Sequence, residues 1–223
     1  MLLVGHRGAS AYEPENTLRS FRKAVELGAN SVELDIHGTK DGEIVVIHDP
    51  KVNRTTNGKG KVCNMTLPEI RKLDAGLGEP IPTLKEVVRW ADGKTTLLVE
   101  FKEAGLEARA ARILDGRPKI LAISFFPTVL EELKRIDPRI TTCLLFESKP
   151  SHLDEFLTSC LELKISWIMG RSRHVNRKLI ERAHEKGLKV LAWTLDRPKS
   201  IAKKLALGLD GVTSNKPDLF QSI

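Results

Sequence analysis

Three acidic side chains lie in apolar segments that are typical of buried strands. Glu33 and Asp35 alternate with apolar residues in SVELDIH, and Glu100 precedes Lys102 by two positions in TLLVEFK. Successive strand side chains point to opposite faces, so each of these two pairs shares one face. Carboxylate oxygens are the preferred ligands of Mg²⁺, Ca²⁺ and Mn²⁺. The pattern therefore predicts a hard divalent metal site, or else a network of ion pairs with Lys102 or Arg7.

Two of the six histidines directly follow strand-like segments. His6 comes after LLVG and His48 after IVVI; if the DG dipeptide ahead of IVVI forms a hairpin turn, His48 returns beside Asp35. Two imidazoles close to a metal suit acid–base catalysis at neutral pH, with one accepting a proton and the other donating one. Either histidine could instead be a structural residue at a strand end. His37 shares the face of the acids, but we expect it to lie beyond the rim of the barrel.

The elements that must position these residues alternate along the chain. Nine strand-like segments are separated for the most part by amphipathic stretches, which predicts a parallel sheet covered by helices. The exception is the short GTKDGE linker after SVELDIH. A parallel crossover needs about a dozen residues, so IVVIHD must pair with SVELDIH in antiparallel fashion. Eight parallel strands remain, and they predict a TIM-type (β/α)8 barrel in preference to a doubly wound open sheet.

The segment 51–82 interrupts this alternation. It contains four glycines and three prolines, with sequence for one short helix. We expect a small insertion above the strand ends, following the hairpin arm that carries His48. It is too short to be a domain, so residues 1–223 should form a single domain.

The first amphipathic stretch illustrates how the helices are delimited. Residues 17–27 place Leu18 and Phe21 on one apolar face. We expect Asn16 to cap the N-terminus of this helix and Gly28 to end it.

The charge and the aromatic content limit the possible partners. The formal net charge of +7 comes from 36 basic and 29 acidic residues that are mixed along helix-like stretches, a pattern typical of solvated helix faces. Aromatic residues make up 5% of the chain, which leaves little material for stacking bases. We therefore expect no nucleic-acid partner and interpret the charge as steering of anionic small molecules. A basic nucleic-acid-binding protein is kept as an alternative.

Location and assembly are constrained only in part. No stretch approaches the roughly 18 apolar residues that would span a bilayer, so we expect no stable membrane insertion. A strand-like segment begins at residue 2, which argues against a signal peptide. Three cysteines without a CxxC pair favour reduced thiols, and we expect a cytoplasmic protein. The oligomeric state is left open.

Several short motifs occur in a specific order. GHRG and PENT are followed by GANSVELDIHGTKDGEIVVIHD, by VEFK, and by LAWT with GLDGVTSNKPD. In this order, and over nearly the whole chain, they resemble the glycerophosphodiester phosphodiesterase family. The resemblance implies a TIM-type barrel of the phosphatidylinositol-phospholipase-C-like kind and a divalent metal ion. It also implies hydrolysis of a glycerol-linked phosphodiester to glycerol 3-phosphate and an alcohol.

The resemblance further implies a role for each residue that matches a family motif. The metal would be held by Glu33, Asp35 and Glu100, and the acid–base pair would be His6 and His48. The phosphate would be bound by Arg7 and the catalytic Lys102. The substrate pocket would be lined by Asn16 and Trp193. Positive charge stabilises the phosphoryl oxygens, and a poor alkoxide leaving group needs a proton. We assign His48 as the acid and His6 as the base, although the two roles could be exchanged.

The chain departs from the family pattern at three places: His37-Gly38, Leu195-Asp196 and Ser214-Asn215. We expect none of them to contact the metal ligands or the acid–base histidines, so they bear on leaving-group preference rather than on the reaction. A lysolipid phosphodiesterase of phospholipase-D-like or C-like type on the same barrel is therefore an alternative. A catalytically silent, metal-stabilised barrel is a further one.

Overall fold

Strands and helices alternate along the chain, of which the computed structural model describes residues 1–117 and 119–222. The strands of this part are β1 (Leu2–Gly5), β2 (Ser31–Gly38), β3 (Ile44–Val46), β4 (Thr96–Phe101), β5 (Ile120–Ser124), β6 (Thr141–Phe146), β7 (Trp167–Arg171), β8 (Lys189–Trp193) and β9 (Gly211–Ser214). In these residues, all strands but β3 are parallel and pair in the ring β1-β2-β4-β5-β6-β7-β8-β9, with β9 returning to β1. This closed ring confirms the predicted TIM-type barrel.

Helices surround the barrel because each strand has one apolar face that must be covered. The α-helices are α1 (Leu18–Glu26), α2 (Leu67–Ile70), α3 (Leu84–Ala91), α4 (Glu107–Leu114), α5 (Pro127–Ile136), α6 (Leu153–Glu162), α7 (Arg177–Glu185) and α8 (Pro198–Leu205). Outward strand residues such as Leu34, Ile36 and Phe101 are fully buried beneath them. A smaller apolar cluster, which includes Leu98 and Leu191, fills the barrel interior. None of these helices, over the residues described, is long and apolar enough to traverse a bilayer.

The predicted hairpin is present. Strand β3 pairs antiparallel with β2, with Ile36 opposite Val46, and Gly42 in the turn has a left-handed backbone (φ +84°). Beyond β3, the main-chain N–H of Ile47 donates to the carbonyl of Asp35 at 2.9 Å. The hairpin therefore brings His48 to the carboxyl end of β2, as the turn predicted.

The segment 51–82 follows this hairpin as a small insertion, as predicted. Its apolar side chains form a cluster of their own with the underside of the hairpin arm: Val45, Ile47, Val52, Val62, Ile70, Ala75 and Ile81. Within it, Thr66 and Glu69 form a capping box at the start of α2. The insertion is thus packed onto the strand that carries His48.

The start of α1 differs from the prediction. Thr17 caps the helix, its hydroxyl accepting the N–H of Ser20 at 3.1 Å. The prediction that Asn16 is the cap is wrong: its backbone is left-handed (φ +59°), and its side chain turns towards β2 instead. The end of the helix is as expected, since Gly28 has the positive φ of +104° that favours glycine.

Candidate active site

The three predicted carboxylates converge at the carboxyl ends of β2 and β4. Asp35 stands opposite Glu100 in the parallel ladder, and Glu33 shares their inward face one step lower. One oxygen from each side chain lies within 4.8 Å of the other two. Glu33 and Asp35 are each 1% exposed and Glu100 is 8% exposed. Three buried carboxylates this close repel one another unless positive charge balances them.

Burial and this repulsion shift the pKa values of the three carboxyl groups. Burial, with Asp35 and Glu100 nearby, raises the pKa of Glu33 well above its usual value. Burial and the charge of Asp35 raise the pKa of Glu100 to about 7. Burial acts in the same direction on Asp35, but Lys102 and Arg7 outweigh it and hold the pKa of Asp35 below its usual value. The negative charge is therefore concentrated on Asp35 when no further cation is bound.

Lys102 and Arg7 supply the positive charge that the chain itself offers. Nζ of Lys102 lies 2.5 Å from Oε1 of Glu100 and 3.1 Å from Oδ1 of Asp35. Nε of Arg7 lies 3.4 Å from Oδ2 of Asp35, and its main-chain N–H donates to Oε2 of Glu33 at 2.8 Å. Burial would lower the pKa of Lys102, but Asp35 and Glu100 more than compensate and raise it. The predicted ion-pair network is thus present.

The ion-pair network leaves one oxygen of the carboxylate cluster without a partner in the described part of the chain. Oε1 of Glu33 is buried and accepts no hydrogen bond from the described residues. A buried carboxylate oxygen without a donor is costly, whereas a hard cation would bind it together with the neighbouring oxygens. The donor set is entirely oxygen, as Mg²⁺, Ca²⁺ and Mn²⁺ require. The residues present therefore fit a divalent cation in addition to the ion pairs.

Asn16 orients the central carboxylate. Its Nδ2 donates to Oδ2 of Asp35 at 2.8 Å, and its Oδ1 accepts the main-chain N–H of Asp35 at 3.3 Å. The left-handed backbone at Asn16 directs the side chain inward, and Arg7 on the facing loop has the same unusual backbone (φ +54°). Non-glycine residues in this conformation are uncommon and cluster at functional sites.

His6 follows β1 and faces the cluster. Its Nδ1 lies 2.7 Å from Oδ1 of Asn215, and its Nε2 lies 3.9 Å from Oε2 of Glu33. Burial, followed by the charge of Arg7, lowers the pKa of His6. The neutral imidazole is therefore favoured at neutral pH, and it can accept a proton.

His48 is oriented by a chain of charged groups. Its Nδ1 lies 2.7 Å from Oδ1 of Asp49, and Asp49 accepts two hydrogen bonds from Arg54 at 2.8 and 3.0 Å. The same guanidinium donates to both oxygens of Glu15 at 2.9 and 2.8 Å, and Glu15 accepts Nη1 of Arg7 at 3.0 Å. Asp49, Arg54 and Glu15 thus form an Arg54 bridge between His48 and Arg7. Burial, together with the charges of Lys102 and Arg7, lowers the pKa of His48, although Asp35 and Asp49 act to raise it.

His37 lies beyond the last pairing of β2 within the barrel ring, Ile36 with Phe101, as expected, but the hairpin buries it there. His37 is 4% exposed and pairs with Val45 inside the hairpin. Its Nε2 donates to the main-chain carbonyl of His48 at 3.1 Å, and its Nδ1 lies 3.2 Å from Oε2 of Glu103. His37 therefore holds the backbone of His48, because β3 extends the sheet over the end of β2.

Strands β5 to β8 give the same cavity an apolar wall. It is formed by Ile123, Phe125, Leu145, Met169 and Trp193, and the charged wall by His6, Arg7, Glu33, His48, Glu100 and Lys102. Phe125 meets the Trp193 ring edge-on, with 6.1 Å between centroids, and the Arg171 guanidinium lies 5.8 Å from that ring. Nε1 of Trp193 is buried and has no acceptor among the described residues. It is a donor that a substrate oxygen could use.

The structure thus assembles all the predicted site residues around one cavity, with Asp35 and Asn16 just behind its wall; their roles stay predictions. Sequence reasoning missed Asp49, Arg54 and Asn215. Asp49 could have been found, because it directly follows His48. The expectation that the three departures avoid the histidines is wrong, since Asn215 contacts His6 and His37 contacts His48.

A closed parallel barrel with a carboxylate cluster, two imidazoles and two cations at its mouth defines an enzyme site suited to a phosphate ester. The model of the Glycerophosphoryl diester phosphodiesterase family matches residues 6–219. The chain belongs to that family, a family of phosphoric diester hydrolases, which confirms the resemblance and the prediction of an enzyme.

Individual relatives agree with this assignment. The chain is 34% identical to a glycerophosphodiester phosphodiesterase of Caldanaerobacter subterraneus, with 97% of this chain and 95% of the relative covered. It is 30% identical to a glycerophosphodiester phosphodiesterase of Bacillus subtilis, with 100% and 86% covered. A phosphodiesterase of Oleispira antarctica, solved in complex with the product sn-glycerol-3-phosphate, superposes with a TM-score of 0.91 at 29% identity, covering 100% of this chain and 96% of that one.

Proposed function

We propose that this chain hydrolyses glycerophosphodiesters to glycerol 3-phosphate and an alcohol, using a divalent metal ion held by Glu33, Asp35 and Glu100. The observation that carries the proposal is that this buried carboxylate cluster shares one cavity with two imidazoles and two cations. The named relatives and the product named in the Oleispira structure support the same substrate class. We also propose that residues 1–223 act as a single barrel domain.

Charge stabilisation is assigned to the cations at the mouth. When bound, the metal ion supplies Lewis-acid stabilisation of negative charge on the phosphoryl oxygens. Arg7 offers two parallel N–H donors to a phosphate, and Lys102 acts as a point charge. Asn16 keeps Asp35 oriented beneath both.

Proton transfer is assigned to the two histidines. Nε2 of His6 accepts a proton from the attacking water as its oxygen bonds to phosphorus. His48, in the protonated form that its contact with Asp49 favours, donates a proton to the leaving alkoxide as the ester P–O bond breaks, so the alcohol departs neutral. Trp193, on the wall opposite the histidines, offers its free N–H to an oxygen of the substrate.

The apolar wall favours a second candidate within the same chemistry. Phe125 and Trp193 would accommodate an apolar alcohol, so a lysolipid diester is the alternative substrate. We propose a small molecule rather than a nucleic acid in either case, because the reactive groups are buried inside the barrel mouth.

The decisive experiment is a panel of diesters with identification of both products. Glycerophosphocholine, glycerophosphoethanolamine and glycerophosphoglycerol should yield glycerol 3-phosphate, with turnover abolished by EDTA and restored by Mg²⁺, Ca²⁺ or Mn²⁺. Faster turnover of lysophosphatidylcholine would favour the lysolipid alternative. Full activity after exhaustive chelation, with no metal detected by elemental analysis, would refute the metal site.

Matched glutamate variants test the ligands themselves. Glu33→Gln and Glu100→Gln should each lose metal binding in calorimetry together with roughly 10³-fold or more of the turnover. Glu147→Gln is the control, because Glu147 lies at the same end of the barrel but pairs with Arg171 outside the cluster. It should retain metal binding; equal losses in all three variants would contradict the assignment.

A further inference from the structure

We infer that Asn215, held by Asp196, fixes His6 in the tautomer that carries hydrogen on Nδ1 and leaves Nε2 free to accept a proton. The inference rests on the proposed function of His6 as the base. Asn215 and Asp196 act through His6, so they are positioning residues. Both lie among the departures from the family pattern.

The first step fixes the direction of the Asn215 amide. Oδ1 of Asp196 accepts the main-chain N–H of Asn215 at 2.8 Å and the hydroxyl of Ser214 at 2.9 Å. Its Oδ2 accepts Nδ2 of Asn215 at 2.6 Å. An ionised carboxylate can only accept hydrogen bonds. The NH₂ group of Asn215 must therefore face Asp196, and its oxygen must face the other way.

The second step fixes the hydrogen on His6. Oδ1 of Asn215 lies 2.9 Å from the hydroxyl of Ser10 and 2.7 Å from Nδ1 of His6. An amide oxygen only accepts, so Nδ1 must be the donor. In a neutral imidazole the other nitrogen then has the free lone pair. This nitrogen, Nε2, is the one that faces Glu33 and the cavity.

The backbone holds the two partners at a fixed separation. The main-chain N–H of His6 donates to the carbonyl of Ser214 at 2.9 Å, and that of Ala11 donates to the carbonyl of Asn215 at 3.1 Å. Strands β1 and β9 are paired up to Gly5 and Ser214, immediately before these residues. The contact between His6 and Asn215 is therefore set by the barrel and not by a free loop.

The test turns the amide around without changing its size. In Asp196→Asn, an NH₂ group can face the NH₂ group of Asn215, which favours rotation of the Asn215 amide. Its NH₂ would then face Nδ1 of His6 and move the ring hydrogen to Nε2. We expect kcat to fall roughly 10- to 10²-fold, with little change in KM, on natural and p-nitrophenyl diesters alike.

The reciprocal exchange should reverse the loss. Adding Asn215→Asp to Asp196→Asn again gives every donor an acceptor. The carboxylate then lies at position 215, beside His6, and the amide lies at position 196, behind it. We expect the double variant to recover most of the lost kcat. Ser10→Ala is the control, because it removes a donor from the same Asn215 oxygen without turning the amide; its rate should stay within about threefold of wild type.

The tautomer itself is read by ¹⁵N NMR of the imidazole. The wild type should carry hydrogen on Nδ1 of His6, and Asp196→Asn should shift it towards Nε2. Hydrogen on Nε2 in the wild type, or an unchanged kcat in folded Asp196→Asn, would overturn the inference. If Asp196→Asn does not fold, Asn215→Leu, which removes the acceptor, gives the same comparison.

His6→Ala, measured alongside, separates two kinds of failure. If His6→Ala keeps its activity, the proposed role of His6 as the base is wrong. If His6→Ala loses activity while folded Asp196→Asn and Asn215→Leu keep theirs, only the role of Asn215 and Asp196 is wrong.

Discussion

The two walls of the barrel mouth are built from the same strand pattern but carry opposite chemistry. Inward positions at the ends of β1, β2 and β4 hold ionisable groups, whereas those of β5 to β8 hold apolar groups. The charged wall is surrounded by hydrogen bonds that fix each group, as at Asp35 and His6. The apolar wall is held by packing, as in the contact between Phe125 and Trp193. Under the proposed function, the charged wall would carry out the reaction and the apolar wall would contact the leaving group.

The largest expected effect lies on the charged wall. His6→Ala and His48→Ala should each lose roughly 10²–10⁴-fold in turnover, because each removes a proton transfer. A p-nitrophenyl diester needs no protonation of its leaving group, so it should partly rescue His48→Ala but not His6→Ala. Steady-state kinetics on both diesters, with thermal melts, measure this. Near wild-type rates in both variants, or unfolding of both, would return the two histidines to structural roles.

A matched pair of core truncations compares the two walls directly. Leu98 and Leu191 are both fully buried inside the barrel, and Leu98 lies below Glu100 on the same face. Each change to Ala should lower the free energy of unfolding by about 2–5 kcal/mol, measured in urea. Turnover of the folded protein should fall more in Leu98→Ala, because the space left by the truncated side chain lies beneath Glu100, a proposed metal ligand. Equal losses of turnover in the two variants would contradict the expectation that the charged wall is the more sensitive of the two.

The charged wall also predicts how stability depends on pH in the metal-free protein. The pKa of Glu33 is raised, and that of Glu100 is raised to about 7, so the folded state holds protons that the unfolded chain releases near its own pKa of about 4.3. The stabilisation from these protons is complete below that lower value and is lost as pH rises through about 7. The contribution of these two glutamates should therefore lower Tm in EDTA between roughly pH 5 and 8. His6 and His48 act in the opposite direction, because their lowered pKa values favour the folded state as pH rises.

Two comparisons check the origin of that fall. Glu100→Gln should make the slope shallower, because it removes one of the titrating groups. Mg²⁺ should also make it shallower, because a bound cation favours the ionised carboxylates. A slope that is the same in EDTA, with Mg²⁺ and in Glu100→Gln would place its origin elsewhere in the molecule.

The smallest expected effect lies on the apolar wall. Trp193→Phe keeps a ring against Phe125 but removes the buried N–H that has no acceptor among the described residues. The loss of one hydrogen bond to substrate should raise KM by about three- to tenfold, with kcat little changed. A large fall in kcat would place Trp193 in the chemistry and so break the comparison.

The sequence predicted those parts of the molecule that depend on strand phase. Alternation placed Glu33, Asp35 and Glu100 on inward faces, and the length of the GTKDGE linker required the hairpin that returns His48. Contacts between distant loops were not accessible in this way. Asp196 and Asn215 are 19 positions apart and meet only because β8 and β9 are neighbours.

The errors have local physical causes. Thr17 and Asn16 are both good capping residues, so propensity alone does not choose between them. The contact of Asn16 with Asp35 joins residues 19 positions apart, which local propensity does not reveal. His37 lies beyond the barrel ring as expected, but strand alternation alone did not predict that the hairpin would bury it against the backbone of His48. In the structure β2 continues to Gly38, and β3 covers it.

The Arg54 bridge has a consequence for the response to ionic strength. The Arg54 side chain is 46% exposed, and its bonds to Asp49 and Glu15 orient His48 at one end and Arg7 at the other. Dissolved ions weaken exposed charge pairs far more than buried ones. Rising salt would therefore loosen His48, the proposed proton donor, and Arg7, the proposed phosphate ligand, together, while the carboxylate cluster beneath stays intact. We therefore expect the exposed guanidinium of Arg54 to limit activity at high salt.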